Sequence, residues 1–311
     1  MAILRVPEEF CTIQEAVNTA NPGDVILVEE GIYPEQVLIT KNNIRLVARC
    51  RNAVLDGNSL LDFGFLLNNV SGVQVRDFMI KNYDMAGVYL NGGQANRVIH
   101  NNIINNDLAG IILNKSCRNM ISENNVSQND LGILATEAHH NWFVRNCACQ
   151  NSQSGIFLGS GATGSNDNAL INNHASYNES IGILAMGGNN LLLQNQVTRN
   201  QVGILIEDNN NILQGNIVKR NECGAVVAVS SENLYLANNV IRQNCGTGIE
   251  LVNNQFGIIE ENKIIRNKDF AIKGSVASAS NTIIRNQLRL NSPGNIDLIN
   301  PDNNVINSCL F

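Results

Sequence analysis

Five side chains in this sequence carry proton-transfer groups at spacings that could bring them to one place: Lys115, Glu137, His139, His140 and Asp167. Lys115 and Glu137 each stand five residues after a glycine, Gly110 and Gly132. His139 and His140 follow at once, and Asp167 closes a small-residue stretch that begins Gly159-Ser160-Gly161-Ala162-Thr163-Gly164. A lysine or histidine acting as base beside a carboxylate suits removal of a carbon-bound proton, or acid–base hydrolysis. The plainer reading is a polar turn with a tolerated insertion.

Two more groups are picked out by position. Arg199, Lys219, Arg220, Arg242, Arg266 and Arg289 lie three or four residues after an asparagine. Such an outward basic stripe could hold an anionic polymer through charge-assisted contacts, although solvated strand edges also carry cations to prevent association. Tyr89, Ile112, Leu134, Phe157, Leu184 and Leu205 each follow a glycine by two residues, with Val226 next in line. A continuous outward apolar stripe predicts self-association into a homo-oligomer. His174 and Cys147 are expected at equivalent outward positions and His100 stands alone; two ligands do not make a metal site.

These residues need a scaffold, and the composition says which. About one residue in six is asparagine, hydrophobic residues make up 44% and charged ones 15%. Asparagine is poor in helices and ordinary strands, but it tolerates left-handed turns and forms hydrogen-bonded ladders when copies stack. A net charge of −6 argues against a nucleic-acid partner. No apolar run is long enough to span a membrane, and no signal peptide is visible. The expectation is a cytoplasmic protein as the sequence stands, or a secreted one if a leader has been removed. The eight cysteines show no zinc spacing and read as free thiols of a reducing compartment.

From residue 96 to about 302 the chain falls into nine lines of the form Asn-x-apolar-x-x-Asn-x-apolar-x-x-Asn, each followed by Gly-Ile-x-Leu or a variant. The middle column is Asn101, Asn124, Asn146, Asn173, Asn195, Asn216, Asn239, Asn262 and Asn286, and a third Asn always follows five residues on. The first column is broken by Leu234 and Gly257. The glycine column repeats every 21 to 24 residues with one step of 27, between Gly155 and Gly182. Apolar residues between these columns give three short strands per coil, joined by bends at Asn and Gly. The spacing predicts an all-β, single-domain parallel β-helix solenoid of about twelve coils. Thr12, with Glu15 three residues on, begins a short amphipathic helix that would cap the open end. The organisation expected is a cap over 1–24, less regular first coils over 25–95, regular Asn-ladder coils over 96–302 and a C-terminal end over 303–311.

On Thr12-Ile13-Gln14-Glu15-Ala16-Val17, Pro22-Gly23-Asp24, Gly31-Ile32-Tyr33-Pro34-Glu35, Leu55-Asp56-Gly57 and the Asn/Gly-Ile-x-Leu coils, essentially the whole chain resembles the pectin-lyase-like superfamily of right-handed β-helices, especially its NosD-like group. Right-handedness is what the resemblance implies, in keeping with the preference of parallel crossovers. It also implies carbohydrate chemistry: a polysaccharide lyase or related glycan-modifying enzyme on a uronate-type polysaccharide, or a glycoside hydrolase. The signatures of polygalacturonases, pectate lyases and mannuronan epimerases are all missing, so no catalytic residue carries over. No cofactor is expected, and calcium is allowed by the resemblance alone. The alternative is a non-catalytic binding or scaffold protein that self-associates through the apolar stripe.

Overall fold

A computed structural model describes residues 1–49, 52–159, 164–300, 304–307 and 310. The chain divides into two compact units, Met1–Ser152 and Gln153–Phe311.

Both units are built the same way. In the first, strands such as Arg97–Ile99, Met120–Ser122 and Trp142–Val144 pair in parallel as one sheet. Asn102–Ile104, Asn125–Ser127 and Cys147–Cys149 form a second, and Ala86–Asn91, Ala109–Asn114 and Leu131–Thr136 a third. The second unit repeats this with, for instance, Tyr235–Ala237, Val240–Arg242 and Thr247–Val252 in its three sheets. The three-residue strands of the first unit just named put their middle side chains inward: Val98, Ile121 and Phe143 are all fully buried, as are Ile103, Val126 and Ala148. That is period-2 alternation on strands just long enough for one inward residue, with parallel neighbours about 4.8 Å apart.

The bends are held by the asparagines. Asn195 shows the pattern: its side-chain oxygen accepts from the Asn173 backbone N–H at 2.9 Å and the Asn173 amide at 3.0 Å. Its own amide donates to the Leu170 carbonyl at 2.8 Å and to Asn216 Oδ1 at 3.0 Å. Buried backbone groups that the turn leaves without a sheet partner are thereby satisfied. Asn124 does the same between Asn101 and Asn146. Where Leu234 and Gly257 interrupt the first column, the nearby Asn254 is buried with neither amide atom partnered.

The expected helix spans Ile13–Thr19, with Thr12 as N-cap in a reciprocal capping box with Glu15. Glu35, part of the Gly31–Glu35 motif, accepts from the Ile13 and Gln14 N–H groups at 2.9 and 3.1 Å. Ile13, Ala16 and Val17 are buried. This explains the motif: a carboxylate placed against free N–H donors and the positive end of a helix.

Candidate functional site

The register places Asn114 beside Thr136, so Lys115 and Glu137 come next on adjacent coils of the first unit. Both are in left-handed turn conformations, with φ of +49° and +48°. Lys115 Nζ lies 3.9 Å from Glu137 Oε2, the lysine exposed and the glutamate half-buried. His139 and His140 sit further round the same turn. His139 bridges Cys117, and the Arg118 N–H donates to the His139 carbonyl at 3.2 Å. The structure thus joins Lys115 to Glu137 and sets His139 against Cys117 and Arg118. Asp167 lies in the second unit, where its N–H donates to the Gly188 carbonyl at 3.2 Å. Residues 160–163 of the small-residue stretch are outside the described residues.

The basic stripe is a true column of the second unit. Lys219 pairs with Arg242, Arg242 with Ile265, and Ile265 with Arg289. Arg199, Arg220 and Arg266 occupy the turn positions just after, each with φ near +58°. Arg199 stacks over the Tyr177 ring at 5.1 Å and donates to its hydroxyl. Among the described residues none of the six cations pairs with a carboxylate. A surface groove of about 380 Å³ runs along the column, lined by Val240, Arg242, Gln243, Lys263, Ile265 and Arg266. Like charges facing each other on paired strands destabilise a sheet. Lys219 beside Arg242 therefore costs stability unless an anion sits between them. Nearby His174 has its pKa lowered by burial and, secondarily, by Lys219.

The apolar stripe is also a column in each unit. Tyr89, Ile112 and Leu134 are in register in the first, and Phe157, Leu184 and Leu205 in the second. Its side chains cover one another: Ile112 and Leu184 are only 7% and 8% exposed, and the other four are half-buried. The next outward residue is Val227, not Val226. Leu205 pairs with Val227, while Val226 is in the core at 1% exposure. The turn after Asn221 holds one residue more than that after Asn200, so Ala225, not Gly224, takes the glycine place in that coil.

The model for the right-handed β-helix region matches residues 32–175, 63–211, 132–258 and 162–311. The chain belongs to this right-handed β-helix family. No match was found among curated proteins. Among solved structures this β-helix is similar to the Azotobacter vinelandii mannuronan C-5 epimerase AlgE4 A-module. The TM-score is 0.80 at 16% identity, covering 94% of this chain and 93% of that one. The AlgE6 A-module from the same organism gives 0.75 at 15% identity, with 96% and 92% covered. The catalytic domain of a GH87 alpha-1,3-glucanase in complex with nigerose gives 0.71 at 13% identity, with 100% and 68% covered.

In this β-helix one cluster escaped the sequence reading. His100 is not alone: its Nδ1 is 2.5 Å from Asp77 Oδ1, one coil earlier. Arg76 pairs with Asp77 at 2.8 Å, and Arg145 with Glu123 at 3.5 Å. Asp77, His100, Glu123 and Arg145 all occupy the turn position just before the middle-column residue, with φ between +55° and +68°. The signal was in the sequence as the residue before Phe78, Asn101, Asn124 and Asn146. Phe78 replaces the marker asparagine in Asp77's coil, so that coil fell outside the alignment.

Cysteines 11, 117, 147, 149, 223 and 245 are free thiols, while Cys50 and Cys309 lie outside the described residues. Cys147 and Cys149 face the same side of their strand, with sulfurs 2.6 Å apart. That contact, with burial, pushes the Cys147 thiol pKa up. Among the described residues no group of three or more His, Cys, Asp or Glu is placed to hold a metal ion.

Proposed function

We propose that this right-handed β-helix is a carbohydrate-active protein whose target is an anionic, uronate-type polysaccharide held along the basic column of its second unit. The observation that carries the reading is that column: six cations without a carboxylate partner among the described residues, beside a groove, on a protein of net charge −6. Coils about 4.8 Å apart present one or two cations per step, comparable to the rise per sugar of an extended glycan. Guanidinium groups form paired hydrogen bonds with carboxylates, which suits uronates. The fold neighbours include proteins named as mannuronan epimerases and a glucanase, which supports a glycan target.

The catalytic part of the reading assigns proton removal beside the uronate carboxyl to Lys115, Glu137, His139 and His140 of the first unit, with Asp167 a further candidate in the second. A lysine at 3.9 Å from a carboxylate on an accessible turn is what supports it. The test is a screen against polyuronates and neutral glycans, following binding, unsaturated product and reducing ends. Retention on alginate or polygalacturonate that falls with salt, and with Arg242→Ala plus Arg266→Ala, is the expected result. Equal binding of neutral polymers, or indifference to both arginines, overturns the anionic target. Substrates left intact by the wild-type protein leave a binding protein and remove the enzyme.

A further inference from the structure

The cluster around His100 borders a second groove, of about 300 Å³, lined by Met79, His100, Asn101, Asn102, Glu123 and Asn125. That is the lower end of the range for small-molecule sites, about 300–1,000 Å³. Its charges are balanced internally. Arg76 and His100 both meet Asp77, and Arg145 meets Glu123. An incoming carboxylate would meet two acids that already have cations, with no spare positive charge of the kind the basic column offers.

The lining offers hydroxyl chemistry instead. Asn125 Nδ2 donates to Asn102 Oδ1 at 2.7 Å on the outer face of paired strands. Among the described residues this is the hydrogen bond these two side chains make, so the Asn102 amide N–H groups and the Asn125 amide oxygen remain for a ligand. A donor and an acceptor one coil apart match neighbouring hydroxyls of a sugar, each of which both donates and accepts a hydrogen bond. The Glu123 carboxylate can accept from a hydroxyl more strongly than a neutral acceptor can. Met79 pairs with Asn102 and adds a polarizable apolar surface, suited to the C–H face of a pyranose. Asp77 fixes the imidazole ring of His100 at the rim, so the groove is preorganised.

We infer that this groove is a carbohydrate subsite for a neutral, hydroxyl-rich sugar unit, separate in chemistry from the basic column. The inference rests on the reading of the protein as carbohydrate-active. It assigns the two grooves to different sugar classes, so the glycan recognised contains neutral units as well as uronates, or the protein takes both kinds of chain.

The test uses the whole chain with two probes, a panel of neutral hexasaccharides (gluco-, manno- and galacto-configured) and an oligouronate, followed by ligand-observed NMR and calorimetry. Asn125→Trp fills the groove from an exposed strand position, and Glu123→Gln removes the acceptor charge while keeping its shape. Each should weaken the best neutral ligand about tenfold or more while leaving oligouronate affinity within about twofold. His100→Asn, which tolerates the left-handed turn, gives a third variant with the fold retained. Circular dichroism checks that every variant is folded. Neutral binding untouched by Asn125→Trp and Glu123→Gln overturns the subsite. So does oligouronate binding with no neutral binding, which leaves the proposed function standing. If neither class binds, both readings fail together.

Discussion

The two grooves each flank buried asparagines of the same sequence column, one in each unit, yet they present different chemistry. In the first unit, the positions flanking Asn101 and Asn124 carry His100, Asn102, Glu123 and Asn125, a balanced polar set. In the second, the positions one, three and four residues after Asn239 and Asn262 carry Val240, Arg242, Gln243, Lys263, Ile265 and Arg266. Each groove borders a left-handed turn, that at His100 just before a middle-column asparagine and that at Arg266 just before a third-column one, with φ of +62° and +57°. In this fold chemistry is selected by which outward column is filled, because the inward column is fully committed to holding the turn.

The largest expected effect attacks what the grooves share. Asn239→Ala and Asn124→Ala each strip a buried amide from four hydrogen bonds. With unpaired buried groups costing roughly 1–3 kcal/mol each, partly relieved by local rearrangement, both variants should lose about 3 kcal/mol in urea denaturation. A loss in one unit only would show that the ladders are not equivalent.

Next in size is the contrast itself. Arg242→Ala with Arg266→Ala should reduce polyuronate affinity about tenfold or more, with stability unchanged or raised by up to about 0.5 kcal/mol, since both side chains are exposed, neither has a carboxylate partner among the described residues, and Arg242 faces Lys219. Salt titration of retention on immobilised polyuronate should flatten in the double variant.

A smaller effect depends on pH. His174 is half-buried and its pKa is lowered by burial first and Lys219 second. The folded state therefore resists protonation more than the unfolded chain. No penalty exists above the ordinary histidine range, near 6.5, and stability declines as pH falls below it. Thermal melts between neutral pH and about pH 5 should show this fall, reduced in His174→Gln and partly relieved in Lys219→Met.

The smallest effect separates structure from chemistry. Lys115 and Glu137 form a partly exposed pair at 3.9 Å, worth about 0–1 kcal/mol. Glu137→Gln should barely move the melting temperature, so any large loss of turnover in it reports on catalysis. Light scattering on the wild type sharpens the apolar column in the same way. With Ile112 and Leu184 already covered by their neighbours, a monomer needs no further burial, and a dimer broken by Phe157→Glu would place the interface there.

Much of the fold was legible because its signals are local and repeated. The ladder asparagines, the three-residue strands and the Thr12–Glu15 capping box all stand where periodicity put them. Spacing also located Lys115 over Glu137 and the column of Lys219, Arg242 and Arg289. It failed where a coil changed length or lost its marker. One extra turn residue moved Val227 outward in place of Val226. Phe78, whose N–H still donates to Asn101 Oδ1 at 3.0 Å, hid the coil that brings Asp77 to His100. Asparagine was the alignment's ruler, and an apolar residue in its place made one coil invisible.

The ladder also has a direction. In the rungs described, the backbone N–H of one coil, joined in most by the side-chain amide, donates to the asparagine oxygen of the coil that follows in the chain, as from Asn195 to Asn216 and Asn216 to Asn239. Each coil emerging from the ribosome therefore brings the asparagine oxygen that accepts from the coil before it, together with an amide that donates back to it, as from Asn195 to the Leu170 carbonyl. Extension can proceed rung by rung in the order of synthesis, each step templated by the last, without a distant segment being needed to complete the turn already made.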